Sequence, residues 1–279
     1  MFVSHTAIAI LSAFFAAIGT ILARPLLKQI KSKEILGINF LTMTTVLLLL
    51  SPLFYFFKVT YLSVGLLMLV SLIDTVANYF YFKTFEQTDA SAASPILSIS
   101  PAFTFLFSWI FLQETSGIWT YFIAILIIFS TILLTADFKN FQLTKSATII
   151  PALISTVLFG ISAIPAKYLL NNLQAINSPT LYMFRAGIIS LFALLLFGFN
   201  ITTISIKQYR LIFVRSLFVI AQYVLFYYAI SSGNTGVSST LANITPFFVF
   251  ILAAVFLKEK ITLKKATAAV FIIFLSLII

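Results

Sequence analysis

The sequence predicts an all-α integral membrane protein of ten transmembrane helices, arranged as two inverted five-helix repeats. Three observations lead there. The chain of 279 residues is 61% hydrophobic and 9% charged, with a mean hydropathy of +1.13. That is too little polar surface to cover its apolar side chains in water, so its solvent is lipid. Apolar runs of about 20 residues, the length that crosses the hydrocarbon core, recur along the whole chain. One run is written twice: "SISPAFTFLFSWIFLQET" (98–115) and "NITPFFVFILAAVFLKEK" (243–260) lie 145 positions apart, with proline fourth and glutamate seventeenth in each.

The expected spans are 5–23, 36–57, 60–83, 92–113, 118–136, 147–169, 179–199, 209–231, 237–257 and 263–279. The first has no basic stretch before it and many similar runs after it, so it is read as a span rather than a cleaved signal peptide. Lys58 separates the second span from the third. The fourth and ninth are the duplicated pair. Runs such as Leu47–Leu50 and Phe122–Leu134 show no alternation of period two, which argues for helices over barrel strands. Polar turn-forming clusters close the gaps around the later spans: "NNLQAINSP" at 171–179 and "SSGNTG" at 231–236.

The duplication divides the chain into a first repeat over 1–136, a linker over 137–146 and a second repeat over 147–279. Gly19 and Gly160, each followed by a basic residue (Arg24 and Lys167), lie at similar places in the two halves. A unit of five spans enters on one face of the membrane and leaves on the other, so its copy must sit upside down. Inverted repeats of this kind typify secondary transporters, with the substrate site between the halves near the midplane.

The seventeen basic residues give the orientation. Thirteen of them fall in odd-numbered loops or the helix ends beside them: Arg24, Lys28, Lys31, Lys33, Lys83, Lys139, Lys145, Lys207, Arg210, Lys258, Lys260, Lys264 and Lys265. Two, Lys58 and Lys167, fall at the termini or in even-numbered loops, and Arg185 and Arg215 lie inside spans. Basic loops stay cytoplasmic, so both termini are expected outside.

Composition also excludes. The net charge of +10 sits in short gaps between apolar runs, which fits a membrane surface and not nucleic acid. There is no cysteine, and His5 is the single histidine, so neither thiol chemistry nor a histidine-rich metal site is expected. An intramembrane aspartyl protease needs two facing acids, and Asp89 and Asp137 fall at loops, leaving Asp74 alone. No enzyme, cofactor or metal is expected.

The ten spans, the five-plus-five duplication, and a small-residue run leading through proline to "FLxE" resemble the drug/metabolite transporter superfamily, in its EamA-type branch. The matching stretches are "ASAASPILSISPAFTFLFSWIFLQE" (90–114) and "TGVSSTLANITPFFVFILAAVFLKE" (235–259). "PTLYMFRAGIISL" (179–191) is similar to the second helix of a family repeat, with Arg185 at its arginine; the first half departs there with Asn39 in "GINFLTM". The resemblance covers the whole chain in architecture and the fourth and ninth spans in specific motif. It implies export or exchange of small metabolites such as amino acids, amines, sugars or nucleotide derivatives, through a central cavity. Many members of the superfamily have cytoplasmic termini, opposite to the orientation given by the charges.

The candidate substrate and coupling residues are Asp74, Asn78, Tyr81, Tyr182, Arg185, Arg215, Gln222 and Asn243. A carboxylate in mid-span is costly unless paired or hydrated. Asp74 shares a helical face with Ser71, Asn78 and Tyr81, a polar stripe that should face a cavity. It reads as a proton site or counter-ion, or alternatively as one end of an ion pair with Arg185 or Arg215. Arg185, one turn from Tyr182, suits a carboxylate or phosphate. Arg215 and Gln222 share a face of the eighth span, and Arg215 is also within reach of lipid phosphates.

Pro101 and Pro246 each remove an intrahelical hydrogen bond and free a carbonyl. The polar residues beside them (Ser98, Ser100, Asn243, Thr245) either line a site or re-satisfy the kinked backbone. Glu114 and Glu259 lie thirteen residues beyond the prolines, about 20 Å at 1.5 Å per residue. They belong near the membrane face and should cap or pair at the following helix start.

The expected activity is alternating-access transport of small metabolites, with a proton on Asp74 as a possible coupling device. A channel or a flippase for a lipid-linked solute is the alternative. The expected partners are a small-molecule substrate and the lipid bilayer, with no nucleic acid, in a monomer or homodimer. The expected location is a bacterial cytoplasmic membrane.

Overall fold

A computed structural model describes residues 4–27, 29–87, 96–135, 146–198, 204–256 and 263–279. The described residues are helical in the main: α1 (His5–Leu27), α2 (Ser32–Leu50), α3 (Tyr61–Gln87), α4 (Ser100–Leu112), α5 (Ile118–Thr135), α6 (Ser146–Lys167), α7 (Ser178–Phe197), α8 (Ile206–Ser232), α9 (Thr235–Ala242), α10 (Thr245–Phe256) and α11 (Leu263–Ile278). A 3-10 turn, Ser51–Leu53, extends α2, and a π turn, Tyr168–Asn172, extends α6. Eight helical runs among the described residues, with α9 and the first part of α10 counted as one, are long and apolar enough to cross a membrane. Ser100–Leu112 and Ala266–Ile278 are shorter apolar helices.

The distribution of side chains is that of a protein solvated by lipid. Large apolar residues face outward along α2, α4, α5, α7 and α11, among them Leu49, Trp109, Trp119, Leu195 and Phe274. Many serines and threonines are buried inside the bundle. Many return their hydroxyl to the carbonyl one turn back, as in Ser71 to Leu67 (2.7 Å), Thr75 to Ser71 (2.7 Å) and Thr131 to Ile127 (2.8 Å). In the absence of water such groups need an internal partner, and the preceding turn supplies it.

Local signals in the sequence start the later helices. In the cluster at 171–179, Asn177 Oδ1 accepts the Thr180 N–H (3.0 Å) and caps α7, with Pro179 in the first turn. In the cluster at 231–236, Asn234 Oδ1 accepts the Val237 N–H (3.0 Å) and caps α9. Ser205 and Gln208 form a reciprocal capping box on α8.

The fourth and ninth spans, expected as continuous helices over 92–113 and 237–257, are each interrupted. Residues 98–99 and 243–244 form turns between helical segments. Two backbone hydrogen bonds recur at matching positions. Ile99 N–H donates to Ile96 O (3.1 Å) and Ala102 N–H to Ile99 O (2.9 Å), and 145 residues later Ile244 N–H donates to Leu241 O (3.3 Å) and Phe247 N–H to Ile244 O (2.8 Å). The cause is proline at 101 and 246, which has no N–H to give the carbonyl four residues back. In the second copy the Thr245 hydroxyl donates to that carbonyl, Ala242 O, at 2.9 Å. The two breaks also meet: Asn243 Nδ2 donates to Ser98 O at 2.8 Å.

Packing is interlaced. Among the described residues, α1 packs most heavily on α8 and α3 on α6, each pair joining the first half of the chain to the second. Exchanging the halves preserves the pattern. The α4–α6 contact corresponds to that of α1 with α9 and α10, the α3–α7 contact to that of α8 with α2, and α2–α7, α4–α9 and α5–α11 each correspond to themselves. Close approach at these crossings uses glycine. A Cβ on Gly160 of α6 would fall 2.5 Å from Phe103 Cβ and 3.2 Å from the Phe103 backbone carbon of α4. The expected linker over 137–146 lies, except for Ser146, outside the described residues, as does Glu259.

Candidate functional site

A cavity of about 520 Å³ opens between the two halves. It is lined from α1, α2, α3, α5, α6, α7 and α8 and from both proline-interrupted spans. The breaks are therefore site features: Ser98, Ser100 and Pro101 of one and Asn243, Thr245 and Pro246 of the other all reach the wall. Of the residues expected to serve substrate or coupling, Asn78, Tyr81, Arg185, Arg215, Gln222 and Asn243 line it.

Asp74 and Tyr182 stand behind the wall. Asp74 is fully buried and forms an ion pair with Arg185, its Oδ2 accepting from Arg185 Nε. Of the sequence alternatives for Asp74, this is the geometry of the ion pair. Its Oδ1 makes no hydrogen bond, and neither does the buried Arg185 Nη1. The polar stripe on α3 turns inward as well: Asn78 Nδ2 donates to Asp74 O (2.8 Å) and Ser71 is buried.

Three tyrosines enclose the Arg185 guanidinium. Its central carbon lies 4.8 Å from the ring centre of Tyr223, 5.4 Å from Tyr227 and 5.8 Å from Tyr182. Tyr182 stacks on Tyr223 at 4.9 Å, and its hydroxyl donates to Met43 Sδ at 2.9 Å. An arginine over aromatic faces is favoured by the ring quadrupole, and the tyrosines hold its orientation. Sequence reading did not single out Tyr223 or Tyr227. Their spacing of four on α8, one turn, was the available signal, though it is equally the spacing of core aromatics.

Arg215 is half-buried and turned inward, away from the lipid-phosphate alternative. Its Nε donates to Gly19 O (3.2 Å) and its Nη1 to Asn39 Oδ1 (2.5 Å). Gly19 allows this approach, because a Cβ there would lie 3.1 Å from Val219 Cγ2. Gln222 contributes its backbone carbonyl to Ser12 Oγ (2.9 Å).

Glu114 lies away from the cavity and does not cap the helix that follows it, α5. It caps α9 in the other half, accepting from Thr235 N–H (2.8 Å) and Thr235 Oγ1 (3.0 Å), and pairs with Lys167 at 3.2 Å. The reason is local. Gln113 ends α4 in a left-handed conformation (φ 54°), which redirects the chain just before Glu114. Lys167 is buried and completes the node by donating to Ile230 O (2.5 Å) and Gly233 O (2.6 Å) at the end of α8.

Comparison with known proteins agrees with this architecture. No curated protein matches the chain significantly. One solved structure, described only as the crystal structure of a protein, superposes with a TM-score of 0.79 over 98% of this chain and 96% of its own, at 14% sequence identity. That likeness speaks to the fold. The sequence profile of the EamA-like transporter family matches twice, over residues 5–136 and again over 146–279. With both halves matched and the membrane-spanning helices in place, the chain belongs to the EamA-like transporter family, a branch of the drug/metabolite transporter superfamily.

Proposed function

We propose that the protein is a secondary transporter that moves small metabolites across the cytoplasmic membrane by alternating access. The observation that carries this reading is the cavity shared by both halves at the meeting of two interrupted helices. Helix breaks at membrane depth are tolerated where they face a cavity or a helix that satisfies them, and inverted-repeat carriers place their sites at such breaks. In this reading α1 to α5 and α6 to α11 each cross the membrane five times, the second set inverted, with α9 and α10 forming one crossing. The pairwise exchange of helix contacts and the recurrence of two backbone hydrogen bonds at the breaks support it.

Asp74 takes a proton in the cycle only if it releases Arg185, because the pair as it stands supplies the carboxylate with a cation. The test of the transport reading is counterflow in proteoliposomes. Preloaded solute should accelerate saturable uptake of the labelled solute. Uptake that is linear in concentration and indifferent to preloading would point to a pore and overturn the carrier. Asp74→Asn that keeps full dependence on a pH gradient would remove Asp74 from coupling.

A further inference from the structure

The two guanidinium groups at the cavity are not equivalent. Arg185 of α7 is paired with Asp74 of α3. Exchanging the halves turns α3 into α8 and α7 into α2, so the corresponding pair is Arg215 of α8 with Asn39 of α2. The correspondence is close in sequence. Asn39 is 146 positions before Arg185, and Arg215 lies one turn from Val219, the residue 145 positions after Asp74. The second pair has the arginine but no acid. Its acceptors, Gly19 O and Asn39 Oδ1, are neutral.

The charge of the site follows. Among the described residues, Arg185 and Arg215 are the charged side chains lining the cavity, and Asp74 stands behind Arg185. Two cations and one carboxylate leave one positive charge. Arginine keeps its proton, and an uncompensated charge at membrane depth is costly. Arg185 is buried and held by its acid and three tyrosines, which leaves Arg215 as the cation at the cavity without an acid. The remaining wall is largely apolar and aromatic, with Tyr81, Phe85, Phe159 and Phe226 among its residues.

We infer that the cavity takes an organic monoanion, its carboxylate held by Arg215 in the place where the second pair lacks an acid and its apolar body set against the aromatic wall. The inference names the substrate class of the proposed transporter and rests on that reading. An amine finds no unpaired acid here among the described residues. A zwitterion brings an ammonium group with the same difficulty.

The test uses the purified full chain in detergent and an isosteric series, 3-phenylpropionate, 3-phenylpropanamide, 3-phenylpropylamine and phenylalanine, with acetate to octanoate varying the body. A ligand that binds the native state raises the unfolding temperature. The carboxylates should do so, increasingly with apolar length, and the amide, amine and zwitterion should not. Arg215→Gln should weaken carboxylate binding on the order of tenfold or more. Asn39→Asp supplies the missing acid from the protein. It should raise the unfolding temperature of the unliganded protein and abolish the carboxylate effect, and it keeps the test sound if Arg215→Gln folds poorly.

Equal or stronger stabilisation by the amine or zwitterion overturns the inference, as does wild-type carboxylate binding in Asn39→Asp or no carboxylate effect at all. Stabilisation by inorganic phosphate alone, or by phosphatidylglycerol nanodiscs alone, would assign the charge to a small ion or a lipid headgroup and also overturn it. Counterflow separates the two readings. An amine that shows counterflow keeps the transporter and removes the anion, whereas a carboxylate that binds without counterflow keeps the anion site and removes the transporter.

Discussion

Glu114 Oε1 lies 3.2 Å from Lys167 Nζ, joining the end of α4 to the end of α6 across the two halves of the chain. The same carboxylate caps α9, and the same ammonium satisfies two carbonyls at the end of α8. One acid and one base thus serve four helix ends. Removing either leaves the other poorly partnered, which costs about 3–5 kcal/mol when the group is buried. Glu114→Ala, which leaves the buried Lys167 without its acid, should fall in that range, and Lys167→Met, which leaves the half-buried Glu114, should cost less. Glu114→Gln keeps an acceptor for Thr235 and should cost less than Glu114→Ala. Thermal unfolding in detergent gives the order, and the double variant should lose less than the sum of the two single changes.

The Asp74–Arg185 pair yields a second comparison. Asp74→Asn leaves a buried guanidinium without its counter-ion, so a loss of about 3–5 kcal/mol is expected. Asp74→Leu combined with Arg185→Met removes both charges and should recover most of that loss. If instead the double variant is as unstable as Asp74→Asn, the pair is not what makes the single change costly.

Glycine placement separates a buried helix crossing from an open, exposed helix face. Gly160→Ala sets a Cβ against the backbone of α4 as well as against Phe103, so a loss of about 1–3 kcal/mol is expected from overpacking. Gly65 is exposed on α3, and a Cβ there would meet nothing within 4 Å. Gly65→Ala should therefore be neutral or stabilise by up to about 1 kcal/mol. Unfolding temperatures of the two variants, measured side by side, check the contrast.

Pro246→Ala restores an N–H that can reach Ala242 O, the carbonyl now served by Thr245. The interruption between α9 and α10 should tighten towards a continuous helix, with unchanged or higher thermal stability and slower counterflow. Unaltered counterflow would separate the break from the transport cycle.

The bias of basic residues predicts that a reporter fused after Ile279 reads outside the cytoplasm. A cytoplasmic enzyme fusion there should be silent and a periplasmic one active. The reverse result would mean that the loops with Lys31, Lys33, Lys207 and Arg210 face outward against the positive-inside rule.

How much was legible in the sequence follows from how far each feature reaches along the chain. Spans depend on runs of adjacent residues, so hydropathy locates them. The duplicated proline and its neighbours are local too, and they signal a disturbed helix, although not that it divides into two segments with matching turns. Asn177 and Asn234 lie in clusters readable as breaks, and their capping follows from ordinary side-chain chemistry. The partners of Arg215 were out of reach, because Gly19 and Asn39 are 196 and 176 residues away and carry no charge to advertise a pairing. Glu114 was read as serving its neighbour in sequence, whereas the left-handed Gln113 sends it to a helix 121 residues away.

The interlaced packing has a consequence for synthesis. A ribosome delivers α1 and α3 long before α8 and α6 exist, yet those later helices are the main partners of the earlier ones. The earlier helices can enter the bilayer as they emerge, but their inward serines, threonines and Asp74 must wait in lipid or against the insertion machinery for the rest of the chain. Assembly is therefore a late event, and a truncated first half should be recognised by quality control as unfinished rather than persist as a small domain.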